Sequence, residues 1–267
     1  MNIRAISISR RLRLFVFLTG AFQIARVASG AEDATGTQPA ADPALVVVQK
    51  LLPEADATHA IKLINKIEGR LIVLDGVRVM VTAPAVALLV NVEEKAADSN
   101  DVRWSPHLFA VTKKGAELEV LAHQDLSSMR CDFDVTTDKG NKLALFSLPL
   151  TKDAVGLVVS LRKAEGTEKA ASIEEMMAIY AVQKDGFALA FSQKSESSSA
   201  ELVDGVKQVH QELTKVELGK KATGKLIDLM LTTKAVEKKG EQVNESKPAV
   251  TRWCWNDEAA IYMPECK

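Results

Sequence analysis

The stretch Leu108–Leu118, "LFAVTKKGAEL", returns seventy-one residues later as Ile179–Leu189, "IYAVQKDGFAL". Ala110, Val111, Lys113, Gly115 and Leu118 match Ala181, Val182, Lys184, Gly186 and Leu189, and Phe109 stands where Tyr180 does. Each copy reads as strand, Lys-Lys-Gly or Lys-Asp-Gly turn, strand. An apolar run precedes each ("VALLVNV", 86–92; "VGLVVSL", 155–161) and a further strand follows each ("NKLALFSL", 141–148; "GKLIDLML", 224–231). The following strands are offset by eighty-three, so the second copy carries about twelve extra residues. Two such units are too few for a propeller or a solenoid, and imply two antiparallel sheets, stacked or side by side.

The extra residues fall in "SAELVDGVKQVHQELTKV" (199–216), where Leu202, Val206, Val209 and Leu213 recur at spacings of four, three and four. Ser198 and Glu201 have the spacing of a capping box, so the insertion is expected to be a helix despite Gly205.

Upstream, Asp42-Pro43 reads as an N-cap with proline at the first helical position, opening a short helix through Leu52. "DATHAIKLINKIEG" (56–69) reads as a second helix, capped by Asp56, with Ile61, Ile64 and Ile67 on one face and Gly69 at its end. "RLIVLDGVRVMVTAP" (70–84) is two apolar runs around Asp75-Gly76, a hairpin. "SMRCDFDV" (128–135) alternates as a half-buried strand with Cys131 on its core side. The expected fold is α+β, mainly antiparallel sheet: a helix pair and hairpin over 44–84, a first β unit over 85–150, and a second over 151–267 with the inserted helix and a C-terminal hairpin.

The first thirty residues read as a signal peptide. Arg4, Arg10, Arg11 and Arg13 form a basic n-region, "LFVFLTGAF" is too short to span a bilayer, and small residues follow at Ala28–Ala31. "SRRLRL" partly resembles a twin-arginine export signal, with arginine where a large apolar residue is usual. Residues 31–43 are small, polar and proline-containing, a flexible linker. Removing five arginines takes the formal net charge from -1 to -6, which excludes a global attraction to nucleic acid or anionic lipid. The mature chain is expected to be periplasmic or secreted, without membrane insertion.

Catalytic motifs are missing. His59, His107, His123 and His210 show no HxxxH spacing, and there is no G-x-S-x-G, phosphate loop or CxxC. His107, in a loop after "WSP", and His123, at a strand end, read as solvated or hydrogen-bonded. Asp132, Asp134 and Asp138 carry oxygen, but no glycine follows at the sixth position and no glutamate closes an EF-hand. No metal and no cofactor is expected.

Chemistry-rich residues concentrate in "TRWCWNDEAAIYMPECK" (251–267), which holds two of three tryptophans, one of two tyrosines and two of three cysteines. With a turn over 256–259, Trp253 lies across from Tyr262 and shares a face with Trp255. The three rings act either as a clamp closing the second sheet or as an exposed platform for a partner. In an exported chain Cys254 and Cys266 invite a disulfide, with Cys131 the competing partner. The function these features suggest is a non-enzymatic exported protein that binds a protein or glycan of the cell envelope, as an inhibitor, immunity or assembly factor. An envelope hydrolase with an acid–base site assembled from distant strands is the alternative.

Overall fold

The computed structural model describes residues 42–51, 61–95, 102–126, 142–167, 170–184 and 186–264. Outside them lie His59, Cys131, Cys266, Asp132, Asp134 and Asp138, and with these the alternating strand and both disulfide pairings.

One helix is described, α1 (Pro43–Leu51). Asp42 caps it, its Oδ1 accepting the Ala44 N–H at 2.9 Å, with proline at the first helical position. Thirteen strands follow: β1 (Ile61–Asp75), β2 (Arg78–Lys95), β3 (Val102–Lys114), β4 (Glu117–Asp125), β5 (Lys142–Leu148), β6 (Gly156–Gly166), β7 (Ala170–Gln183), β8 (Gly186–Val203), β9 (Val206–Leu218), β10 (Leu229–Lys239), β11 (Gln242–Glu245), β12 (Ala249–Asn256) and β13 (Ile261–Met263). The fold is therefore mostly β.

Two expected helices are strands instead. Residues 61–69 belong to β1, which pairs with β2 from Ile61↔Val92 onward. A bulge at Ile64 explains the misleading period: it inserts one residue, so Ile64 and Ile67, three apart, both reach the same apolar cluster. The inserted helix is the β8–β9 hairpin. Its turn is Asp204-Gly205, with φ of 49° and 78°, the two left-handed residues that a tight two-residue turn demands. That dipeptide outweighs the helical spacing around it.

The repeat also reads differently in three dimensions. Gly115 sits in the β3–β4 turn with φ 66°, whereas Gly186 is the first residue of β8, opposite Gln183. The matching residues are thus not equivalent in place. The hairpins close at Lys114↔Glu117 and Gln183↔Gly186, and each carries a bulge, at Leu121 and at Ala190, that superposes at an offset of sixty-nine rather than seventy-one. β5, expected as the last strand of the first unit, pairs instead with β6 of the second.

The sheet order is β13-β12-β10-β9-β8-β7-β1-β2-β3-β4, with β5 and β6 attached beside β7 and β11 beside β10. The sheet is mixed: β1 runs parallel to β7 at Val73↔Val182 and Leu74↔Gln183, joined by a parallel bridge between Leu71 and Val155. Layers form because β2 is apolar on both faces, as a strand covered twice must be. Leu88, Val90 and Val92 meet Ala44 and Val48 of α1, while Ala85, Ala87 and Leu89 share a cluster with Leu143, Leu145, Leu157 and Val159. β8 pairs with β9 only from Glu196 outward. Nearer the body the two strands part, and Phe191, Leu229, Leu231, Trp255 and Tyr262 form the third cluster.

The segment between β9 and β10 is fastened by Asp228, 1% exposed. Its carboxylate accepts the Thr223 N–H at 2.9 Å, the Thr223 hydroxyl at 3.2 Å and Arg252 Nε at 3.0 Å, with Arg252 Nη2 also bonded. The Tyr262 hydroxyl donates to the Ile227 carbonyl at 2.8 Å.

Candidate functional site

Four strands outrun the layers. The outer ends of β7 to β10, with β11, form a sheet extension in which Val236 is the one buried side chain among the described residues of 170–176, 194–213 and 233–245. Because side chains alternate, this arm presents two different faces.

On one face the cross-strand row is Arg162, Glu175, Glu196 and Leu213. Gln211 donates to Glu196 Oε1 at 3.0 Å, Arg162 Nε lies 3.6 Å from Glu196 Oε2, and the Ser160 hydroxyl donates to Glu175. The opposite face carries Ser172, Ser199, His210, Glu237 and Asn244 in register across five strands. His210 Nδ1 lies 3.6 Å from Glu237 Oε1. Two grooves share Ser199 and His210: one of about 460 Å³ toward Lys163 and Glu174, one of about 320 Å³ toward Gln208 and Lys239. Lys194, 2.6 Å from Glu174, holds that carboxyl below the usual range. These are hydrogen-bonding surfaces of mixed charge, suited to a polar partner lying along the strands. Neither row is visible in the sequence, because the helical spacing over 199–216 obscures Leu213 of the first row and Ser199 and His210 of the second.

The histidines give a second cluster. His107 lies within β3, not in a loop, opposite Asp125, and His123 lies opposite Phe109. His107 Nδ1 and His123 Nε2 are 3.0 Å apart, and His123 stacks on Phe109 with centroids at 4.3 Å. The two imidazole centroids are 5.2 Å apart, so the facing nitrogens lie between the rings, as in an N–H···N bond. Burial pushes His107 below its usual range, against a smaller upward pull from Asp125. His123 is lowered by burial and by His107, again opposed by Asp125. Among the described residues, no group of three or more His, Cys, Asp or Glu side chains could hold a metal.

The residues singled out at the C-terminus pack inward. Trp255 and Tyr262 are each 3% exposed and Cys254 4%, so neither of the two rings faces a partner. The register is Trp255↔Tyr262 and Cys254↔Met263 rather than Trp253 across from Tyr262. Asn256 stays in β12, its side chain accepting the Glu258 and Ala259 N–H groups, which starts the turn one residue later and moves each partner by two. Trp253, half-buried, meets Phe191 edge-on at 5.2 Å, and Tyr262 meets both Phe191 and Trp255 edge-on. Burial also pushes the Tyr262 hydroxyl pKa up.

No protein-family model, no curated protein and no solved structure matches the chain, so its site is read from its own geometry.

Proposed function

We propose that the chain is exported to the periplasm or beyond, and that it binds a protein or glycan of the cell envelope through the arm. The observation that supports this reading is the arm itself. Ordering some forty residues into a sheet with almost no buried side chain costs backbone entropy that no core of its own offsets. Its worth then lies in what its faces touch. The exposed rows, and not Trp253, Trp255 and Tyr262, carry the binding role. A Cys254–Cys266 bridge belongs to the same reading, since Cys254 stands opposite Met263, three residues from Cys266.

Export rests on the basic, apolar and small-residue sequence of residues 1–30. No helix among the described residues is long and apolar enough to cross a membrane. Mature protein from an osmotic-shock fraction is expected to begin at Ala31 or Glu32, and an intact mass that retains Met1 would sink the assignment.

The arm is tested by crowding one face. Ser172→Arg with Ser199→Arg places two long cations on exposed, unbonded positions, where surface substitutions leave stability within about 0.5 kcal/mol. Partners captured from envelope extract by the wild type are expected to be lost by tenfold or more, with the melting midpoint unchanged. Equal capture by both proteins would remove the arm from consideration.

A second reading, an envelope hydrolase, is favoured by the row Ser199–His210–Glu237, in which a hydroxyl, an imidazole and a carboxylate stand on three adjacent strands inside the shared groove. Labelling of Ser199 by a fluorophosphonate, lost in His210→Ala, separates this reading from binding alone.

A further inference from the structure

We propose that the His107–His123 contact is an acid-released latch, which holds edge strand β4 and helix α1 on the sheet while the pair carries at most one shared proton and lets them loosen when both rings are charged. The reason is stoichiometric. With facing nitrogens 3.0 Å apart, one must donate and the other accept. A second proton leaves two N–H donors pointing at each other and two like charges in contact, with His107 buried and His123 at the exposed edge, so the rings must separate.

On the His107 side, which is buried, the surroundings offer little to compensate. In β2, Val90 stands opposite His107 and Leu88 opposite Phe109, and Phe109 shares its apolar cluster with Val92 and with Ala44, Leu45 and Val48 of α1. Phe109 covers one face of His123, and the backbone of Gly186 approaches the His123 carbonyl from β8. Among the described residues, the one other charge that acts on either ring is Asp125. A single carboxylate accommodates one of the two cations, not both. Burial lowers both rings in the same direction, consistent with a pair that resists charging.

What loosens follows from the topology. Among the described residues β4 hydrogen-bonds on one side alone, to β3, and α1 rests against β4 and the β2–β3 face. Parting the rings frees the last strand of the order and uncovers Val90, Phe109 and Val111. The sign is fixed by linkage. An imidazole of ordinary pKa about 6.5 that is lowered in the folded protein contributes stability in full above that value, and loses it as pH falls through the folded value.

Hydrogen exchange of the full mature chain at pH 7.5 and pH 5.0, corrected for intrinsic rates, tests the latch. Protection across Glu117–Asp125 and Pro43–Leu51 is expected to fall about tenfold or more at pH 5.0, tenfold being the linkage of one proton over one pH unit. Protection in β7 and β10 is expected to hold. In His107→Asn with His123→Gln, β4 protection should no longer depend on pH over this range. If that double variant does not fold, His123→Phe, which keeps the stack on Phe109, removes the second proton alone and should also flatten the response. Unchanged β4 protection in the wild type, equal loss in every strand, or the same β4 loss in the variants would each overturn the proposal.

Discussion

Asp228→Ala is expected to lower the thermal unfolding midpoint by roughly 5–12 °C, the shift that a loss of about 2–4 kcal/mol makes in a domain of this size. The carboxylate is 1% exposed and receives four bonds at once: two from Thr223 and two from Arg252. Removing it takes from the Thr223 N–H and hydroxyl their shared acceptor and from the Arg252 guanidinium the buried carboxylate it pairs with. Because the Arg252 side chain keeps 40% exposure, water recovers part of the stranded charge, which holds the loss below that of a fully buried pair. Asp228→Asn separates shape from charge. It retains one acceptor oxygen for Thr223 but opposes an amide to Arg252, and should lose about half as much. Midpoints measured by calorimetry at neutral pH decide it, and a wild-type midpoint in Asp228→Ala would mean that the 219–228 segment is not held from this point.

Trp253→Ala with Trp255→Ala should cost more, about 4–6 kcal/mol in denaturant unfolding. Truncating a buried Trp costs about 3–5 kcal/mol, and half-buried Trp253 adds less than its full share. The two effects will not simply add, because Phe191 and Tyr262 link the rings edge to edge. The cavity would open where β8 and β9 part, between Phe191 on one side and Leu229 and Leu231 on the other. Measuring the double variant under oxidising and reducing conditions separates the rings from any bridge at Cys254. An unchanged midpoint would mean that the rings do not seal this cluster.

Much of the architecture was legible where local chemistry and long-range pairing agree. Asp42-Pro43 gave the helix start, and Asp75-Gly76 placed a hairpin, though its central residues are Gly76 and Val77. What misled was spacing without context. Ile61, Ile64 and Ile67 fit a helix and a bulged strand equally well, and only the pairing with β2 decides between them. The same limit hid the histidines. Counted back from the Lys114↔Glu117 closing pair, an unbroken ladder would set Gln124 opposite His107 and turn His123 to the other face. The bulge at Leu121 adds one residue and brings His123 round beside His107. A bulge of this kind has no residue signature, so sequence could show two histidines but not their contact. The arm was missed for the opposite reason: Asp204-Gly205 announces a hairpin, and a helical apolar period was given more weight.

The parallel seam between β1 and β7 has a consequence for how the chain reaches this state. Val73 and Val182 pair across more than a hundred intervening residues, and next to them Leu71 bridges to Val155 across more than eighty. Hairpins on either side can close within microseconds, but the seam must wait for a long loop to close, and its entropy is spent before the contact rewards it. Folding should therefore fall in the slow range of high contact order, about milliseconds to seconds. The late step is set by one short parallel pairing. A nascent chain that ends before Val155 holds its first sheet with β1 an open edge, able to pair with another chain in the place that Val155 and β7 will take.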